Sequence, residues 1–600
     1  MVDIALPKWA LPESAGKTRQ WRTLYFVISI AALVGFIVLL MPGKSVPRTG
    51  TFHPDPSHDH QGTNGAVACD VPICSQMGVD ILKLGGNAAD AAVTVALCIG
   101  TIDFQSSGLG GGAFINVWSP DTLSATIIDA RETAPRGSSK NMFSHNRTMA
   151  AVGGLASGVP GELKGLEAMW KSFGSGTISW RDLVAPVAKL SREGFALSKA
   201  IEPLLDPAFK SIYPGITLLE SQGWKWFLPD GLDGNVPPIL RRTQYARTLE
   251  LIAEHGASVF YDPEGPIAPL VAHAAQLSGG ILSAEDFAHY DVVFRTPLNT
   301  TFQGRTIYTP PAPSSGPALV LGLNVIDSLL NHGESSDLSP LETQRLIETM
   351  KWMAAARSQL GDPAFVNNAN IDKIVTEEWA TKVRGNISDH HTLPSWKDYD
   401  PSYQMNEPKG TAHFSILDSN GMAVAITTTV NLPFGNLVCD PVTGIILNSE
   451  MDDFSLPNTD NYFELAPSIY NFIKAGKRPL SSMVPTIIVG EDNRPEMVIG
   501  AAGGSRIVTS VFQAIVRYFG YDLNLLEIIA FPRLHHQLLP EVVMAEVGTP
   551  ATVLASLRSK GHKTEIITPK TAMNGIVRDS KGVLHAVSDY WRKYAEAMSY

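Results

Sequence analysis

Thr411 opens the run "TAHFSILD" directly behind Lys409-Gly410, and "MAVAITTTV" follows across "SNG". A Thr hydroxyl placed there can attack the carbonyl of the residue before it. The acyl group then moves from nitrogen to oxygen, and hydrolysis of the ester cuts the chain. Gly410 removes the Cβ crowding that would oppose the strained backbone this step needs. The product is a new N-terminal threonine. Its α-amine, titrating at about 7.7–8.0, can act as base for its own hydroxyl. The plainer reading is β-propensity, because Thr is good strand filler and Gly-Thr is a common pair.

The surroundings decide how far the sharper reading goes. On the returning strand, Thr427, Thr429 and Asn431 share one face by period-two alternation. "NSEMDDFS" gathers Glu450, Asp452 and Asp453, without the spacing of a calcium loop. "PLSSMVPT" places Ser481 and Ser482 just before an apolar strand. In "AAGGSR", Gly503 and Gly504 stand at a strand-to-helix junction. Bare backbone N–H groups there can serve as an oxyanion hole. A nucleotide loop is excluded, since no Lys-Ser/Thr follows and the G-x-G-x-x-G spacing is missing. "SGLGGGAF" fails the same test. Arg131 comes just after the strand-like "SATIID", a place where most arginines are surface residues. His413 reads as structural.

Two kinds of element have to position these groups. "TAHFSILD" and "MAVAITTTV" flanking "SNG" predict a hairpin. "EMVIG", "AAGGS" and "RIVTSVFQAIVRYF" predict strand, turn and helix. Apolar spacing on both sides of Gly85-Gly86 predicts a helical hairpin, with Cys74 and Cys98 as neighbours. Helical patterns recur at 160–173, 181–193, 245–255, 316–330 and 341–358. "ATVLASLRSKG" and "TEIITP" add a late helix and strand. Helices mixed with antiparallel-type strands, and no regular βαβ rhythm, predict a layered α+β fold.

Leu24–Met41 is an 18-residue run without charge. As a helix it spans about 27 Å, close to the ~30 Å hydrocarbon core. Lys8, Lys17, Arg19 and Arg22 precede it. This predicts a cytoplasmic tail at 1–23, an uncleaved signal anchor at 24–41 and an extracytoplasmic remainder. The polar, Pro- and His-rich stretch that follows reads as a stalk over 42–63. Asn146, Asn299 and Asn386 head glycosylation sequons. The four cysteines are Cys69, Cys74, Cys98 and Cys439, and no pair of them has zinc spacing. A net charge of −11 argues against nucleic acid as a partner.

Taken together, the motifs resemble γ-glutamyltranspeptidases (γ-glutamyltransferase/glutathione hydrolase). "KGTAHFS", "TTVNLPFG", "GIILNSEMDDF", "RPLSSMVPTI" and "GAAGGSRI" match the family's small subunit in order and spacing. "GLGGGAF", "DARETAPR" and "GVPGELKG" match its large subunit. The resemblance runs over about residues 64–545, with the last 50 matching loosely. It implies the αββα sandwich of an N-terminal nucleophile hydrolase, working without a cofactor. It implies a large subunit over 64–410 and a small one over 411–600, made from one precursor. Thr411 would be processing residue and nucleophile, with Thr429 bonding its hydroxyl. Arg131, Ser481 and Ser482 would hold the donor α-carboxylate; Glu450, Asp453 and Asn431 the α-ammonium; Gly503 and Gly504 the oxyanion. The family pairing is Cys74–Cys98. The partners implied are glutathione and other γ-glutamyl compounds, with amino acids, dipeptides or water as acceptors. Pro433 stands where many animal members carry an aromatic residue. Another acylase of this superfamily is the nearest alternative, but a neutral acyl group would leave the Arg and acids unpaired. A catalytically silent ectodomain is the other, although every named position is filled.

Overall fold

The computed structural model describes residues 54–201, 224, 226–227, 239–330, 339–367, 369–403, 410–457 and 466–600. The anchor and tail predicted over 1–41 lie outside the described residues, as does the stalk as far as residue 53. Among the described residues no helix is long and apolar enough to cross a membrane.

Alternation along Gly410–Asp418 sets the layering. Ala412, Phe414 and Ile416 enter an apolar cluster with the helices Pro72–Lys83, Ala88–Ile102 and Glu162–Phe173. Leu417 points the other way, into a cluster with Ile487, Val498 and Ile576. The strand therefore has a helical layer on one face and a second sheet on the other.

Each sheet has seven strands, all paired antiparallel. The first runs Glu596–Ser599, Gly65–Cys69, Gly410–Asp418, Ala423–Asn431, Gly112–Ser119, Ser124–Ala130, Val293–Arg295. The second runs His60–Gly62, Leu584–Val587, Ala572–Arg578, Pro495–Ala502, Thr486–Val489, Arg305–Thr309, Leu298–Phe302. The helices Gly316–Asp327, Pro340–Arg357 and Arg506–Tyr521 cover the outer face of the second sheet. The order of layers is helix, sheet, sheet, helix, as the resemblance implies.

The predicted helices and the Thr411 hairpin form close to their expected bounds. Two expectations need correction. From residue 54 the chain is no stalk: Pro56–His58 form a 3-10 turn and His60–Gly62 pairs with Leu584–Val587. His58 bonds Glu596 at 2.9 Å, and His60 shares that carboxylate. Next, Val543–Glu546 and Thr564–Ile567 pair in parallel, joined by the helix Ala551–Ser559, so one βαβ unit does occur. The last 50 residues, where the motifs match only loosely, place three strands in the two sheets.

Candidate active site

Thr411 is buried at the start of its strand. Gly410 lies opposite Asn431 while Ala412 lies opposite Thr428, so the register slips at Thr411 itself. The Thr411 hydroxyl donates to the Gly410 carbonyl at 2.6 Å. The Thr429 hydroxyl donates to the same oxygen, and the Asn431 N–H donates to Thr429 Oγ1 at 2.8 Å. In the uncut chain Thr429 thus meets the scissile carbonyl, whereas the resemblance had it bonding the Thr411 hydroxyl. A Cβ on Gly410 would sit 2.5 Å from the Asn431 carbonyl, so only glycine fits.

The period-two reading holds for Thr427 and Thr429, whereas Asn431, at φ +72°, leaves the extended conformation. Thr427 shares the Thr429 face and bonds His413 Nδ1 at 2.9 Å. His413 Nε2 reaches Ser415 at 3.1 Å. Burial lowers the His413 pKa to about 3, so this ring stays neutral and structural. Thr428 points to the opposite face, where it donates to Glu162.

A charged wall stands beside this uncharged junction. Arg131 is 1% exposed, Glu450 1% and Asp453 5%. The Arg131 guanidinium forms ion pairs with Glu450 and Asp453, and Glu132 lies at 3.7 Å. Burial pulls Arg131 down, but Glu450, Asp453 and Glu132 outweigh it and hold it above its ordinary value. Burial pushes Glu132 up to about 7 against the pull of Arg131. Glu450 is raised well above the carboxylate range by burial, with Glu132 and Asp453 adding to it despite Arg131. The Glu450–Arg131 contact lacks hydrogen-bond geometry. Both Glu450 oxygens and Asn431 Oδ1 are buried without a hydrogen-bond donor.

The serines of "PLSSM" are placed by backbone and by a second arginine. The Ser481 N–H donates to the Pro313 carbonyl at 2.7 Å. Ser482 Oγ accepts from Arg357 Nη2 at 2.8 Å, and Arg357 Nε donates to Ser315 at 2.8 Å. Ser315 in turn donates to the Ser481 carbonyl at 2.6 Å. Burial lowers the Arg357 pKa to about 10. Arg131 thus pairs with acids and reaches the "PLSSM" segment through the Pro479 and Leu480 carbonyls at 3.5 and 3.4 Å, while Ser482 is held by Arg357.

Gly503 and Gly504 follow the strand Pro495–Ala502 and precede the helix Arg506–Tyr521. Their φ values are +126° and +65°. A Cβ on Gly503 would come 2.6 Å from the Lys570 carbonyl, which fixes glycine there. Gly500, in the same strand, packs against the His413 ring. That contact brings the strand carrying Gly503 against the strand carrying Thr411.

Cys74 and Cys98 form a disulfide with Cα atoms 5.5 Å apart, clipping the predicted helical hairpin. Cys69 and Cys439 are free and buried. Asn146, Asn299 and Asn386 are exposed.

Sequence reasoning missed three groups. Arg357 ends the helix Pro340–Arg357; the one signal was a basic residue closing the apolar run "WMAAAR". Glu162 sits inside the quoted "GVPGELKG", yet it was read only as part of a motif. Lys593 donates to the Thr411 carbonyl at 3.4 Å and to Asp70 and Asp103 at 2.7 and 3.0 Å. It comes from the C-terminal stretch, and no local pattern points to it.

Two antiparallel sheets between helical layers, with a Gly-Thr junction opening a central strand, make a fold like that of the N-terminal nucleophile hydrolases. A cephalosporin acylase from Bacillus halodurans shares the fold, with a TM-score of 0.77 at 21% identity over 93% of this chain and 99% of that one. The family model described as gamma-glutamyltranspeptidase matches residues 74–599, so the likeness extends through the C-terminal strands. Glutathione hydrolase proenzyme 2 of Schizosaccharomyces pombe is 40% identical over 590 residues, 97% of this chain and 94% of its own. Proenzyme 1 of the same yeast is 41% identical over 550 residues, covering 90% and 85%. The chain belongs to the gamma-glutamyltranspeptidase family.

Proposed function

We propose that this protein cuts itself before Thr411 and then cleaves γ-glutamyl amides such as glutathione. The γ-glutamyl group passes through an ester on Thr411 to an amino acid, a dipeptide or water. In the first step the Thr411 oxygen adds to the Gly410 carbonyl carbon. The Thr429 hydroxyl stabilises the charge that develops on the carbonyl oxygen. The C–N bond breaks, the nitrogen gains a proton, and water then hydrolyses the ester. What remains is the free α-amine of Thr411, which takes the hydroxyl proton when a donor arrives. Gly503 and Gly504 stabilise the tetrahedral oxyanion.

The observation that carries this reading is the charged wall with its unfilled acceptors. A γ-glutamyl donor brings a carboxylate and an ammonium on one carbon. The carboxylate suits Arg131 with Ser481 and Ser482. The three ammonium protons suit Glu450 and Asn431 Oδ1, acceptors that are costly to bury unsatisfied, with Asp453 beside them. A neutral acyl group would relieve none of them.

The same reading makes 64–410 and 411–600 two subunits of one fold. Leu24–Met41 anchors the protein as a single-pass type II membrane protein, with the catalytic part outside the cytoplasm at the plasma or vacuolar membrane. Asn146, Asn299 and Asn386 are its glycosylation acceptors. A denaturing gel of the purified protein, run beside a γ-glutamyl-anilide assay, tests the core of the proposal. Chains of residues 1–410 and 411–600 with anilide release are expected. One uncut chain without release would sink it.

A further inference from the structure

A cavity of about 480 Å³ lies between the helix Pro340–Arg357, the segment 391–399 and the turn 559–563. Its size falls within the ~300–1,000 Å³ of small-molecule sites. None of the groups assigned above to catalysis or donor binding lines it.

Its floor is a closed polar network. Lys351, 5% exposed, bonds Glu348 at 2.9 Å, His562 Nδ1 at 3.2 Å and Tyr399 at 3.3 Å. Tyr399 and Thr392 return hydroxyl bonds to the Glu348 carboxylate at 2.7 and 2.8 Å. Glu348 thus offsets the charge of Lys351, and the floor is rigid and close to neutral.

The walls are not neutral. Lys560 gives one bond to the Pro340 carbonyl at 3.1 Å, and neither it nor Lys563 forms an ion pair among the described residues. The one carboxylate on the wall is Glu541, whose Oε1 already accepts from the Trp396 N–H at 2.8 Å. Leu393, Pro394 and Leu538 supply an apolar side. Cationic donors thus exceed acceptors around a space large enough for a carbon skeleton.

We propose that this cavity is an accessory site for a small organic di- or tricarboxylate, with Lys560 and Lys563 as its charge-reading residues. The carbon body rests on Leu393, Pro394 and Leu538, and the carboxylates meet the two ammonium groups.

Titration calorimetry of citrate into the purified full chain tests this, with inorganic phosphate as a second probe. Citrate should bind at sub-millimolar concentration, and more tightly than phosphate. The double substitution Lys560→Gln/Lys563→Gln should weaken citrate about tenfold or more. The same variant should keep kcat and KM for γ-glutamyl anilide. Any of four results would overturn the assignment: no citrate heat at millimolar concentration, phosphate binding as tightly as citrate, unchanged affinity in the variant, or displacement of citrate by a γ-glutamyl donor.

Discussion

The two walls around the Gly410 carbonyl are built from opposite materials. The junction wall holds Thr411, Thr429 and the Asn431 N–H, whose bonds at the Gly410 carbonyl carry no charge; Lys593 touches the junction at the Thr411 carbonyl, at 3.4 Å. The donor wall holds Arg131 among Glu132, Glu450 and Asp453. Self-cleavage acts on a carbonyl the chain itself supplies, already in place, so it needs orientation and one or two hydroxyls. Donor recognition must draw a zwitterion out of water, and only paired charges can repay that desolvation. On the proposed function, processing and turnover therefore draw on separable sets of residues.

Removing the hydroxyl of the junction wall should have the largest effect. Thr411→Ala leaves the backbone register intact but has no oxygen to attack Gly410. The variant should run as one full-length chain on a denaturing gel and release no anilide. A variant still split at the same bond would show that another group is the processing nucleophile, and the separation of the walls would fail at its first step.

Arg131→Lys should break the other wall alone. Self-cleavage should proceed as in wild type. Donor turnover should fall, because an ammonium cannot give a carboxylate the two parallel bonds of a guanidinium fork. The loss is on the order of 2–4 kcal/mol, or roughly 30- to 1000-fold in kcat/KM. A donor whose α-carboxylate is esterified should lose much less, since it never used the fork. Equal losses on both donors would make Arg131 a support of the fold and not a reader of the carboxylate.

The junction wall was the more legible of the two. Alternation fixed which face Thr427 and Thr429 share, although it ends at Asn431, whose φ is +72°, and the "SNG" turn fixed their partner strand. The pocket residues were legible as a set, through motifs, but their mutual pairing was not. No local pattern shows that Ser482 accepts from Arg357, because that bond joins residues 125 apart in sequence. The parallel pair near the C-terminus escaped for the same reason: "TEIITP" read as an ordinary strand, Val543–Glu546 drew no reading, and direction is set by how the helix between them packs. The stalk reading failed at residue 54 because Pro and His composition looks like linker. Edge pairing with Leu584–Val587 and the shared Glu596 carboxylate, both distant in sequence, override it.

The smallest expected effect lies on the reverse face of the strand that carries Thr429. Glu162 is buried there, accepts from Thr428 and from Ser107 at 3.2 Å, and has no cation among its contacts. Burial raises its pKa from 4.5 to about 7, the Thr428 and Ser107 bonds offsetting only part of the rise. An acid raised on folding adds stability that is fully present below its unfolded value and is lost as pH climbs through the folded one. Here the window runs from 4.5 to about 7. At 1.36 kcal/mol per unit the stake is about 3 kcal/mol. Glu162→Gln mimics the protonated acid and does not titrate. Thermal unfolding of both proteins, followed from pH 5 to pH 8, should show the variant gaining on wild type as pH rises, with self-cleavage unchanged in both. Parallel melting curves across that range would mean that Glu162 is held ionised by its hydroxyl partners. A variant that stopped cutting itself would mean that the reverse face of this strand helps to aim Thr429, and the junction wall would then be two-sided.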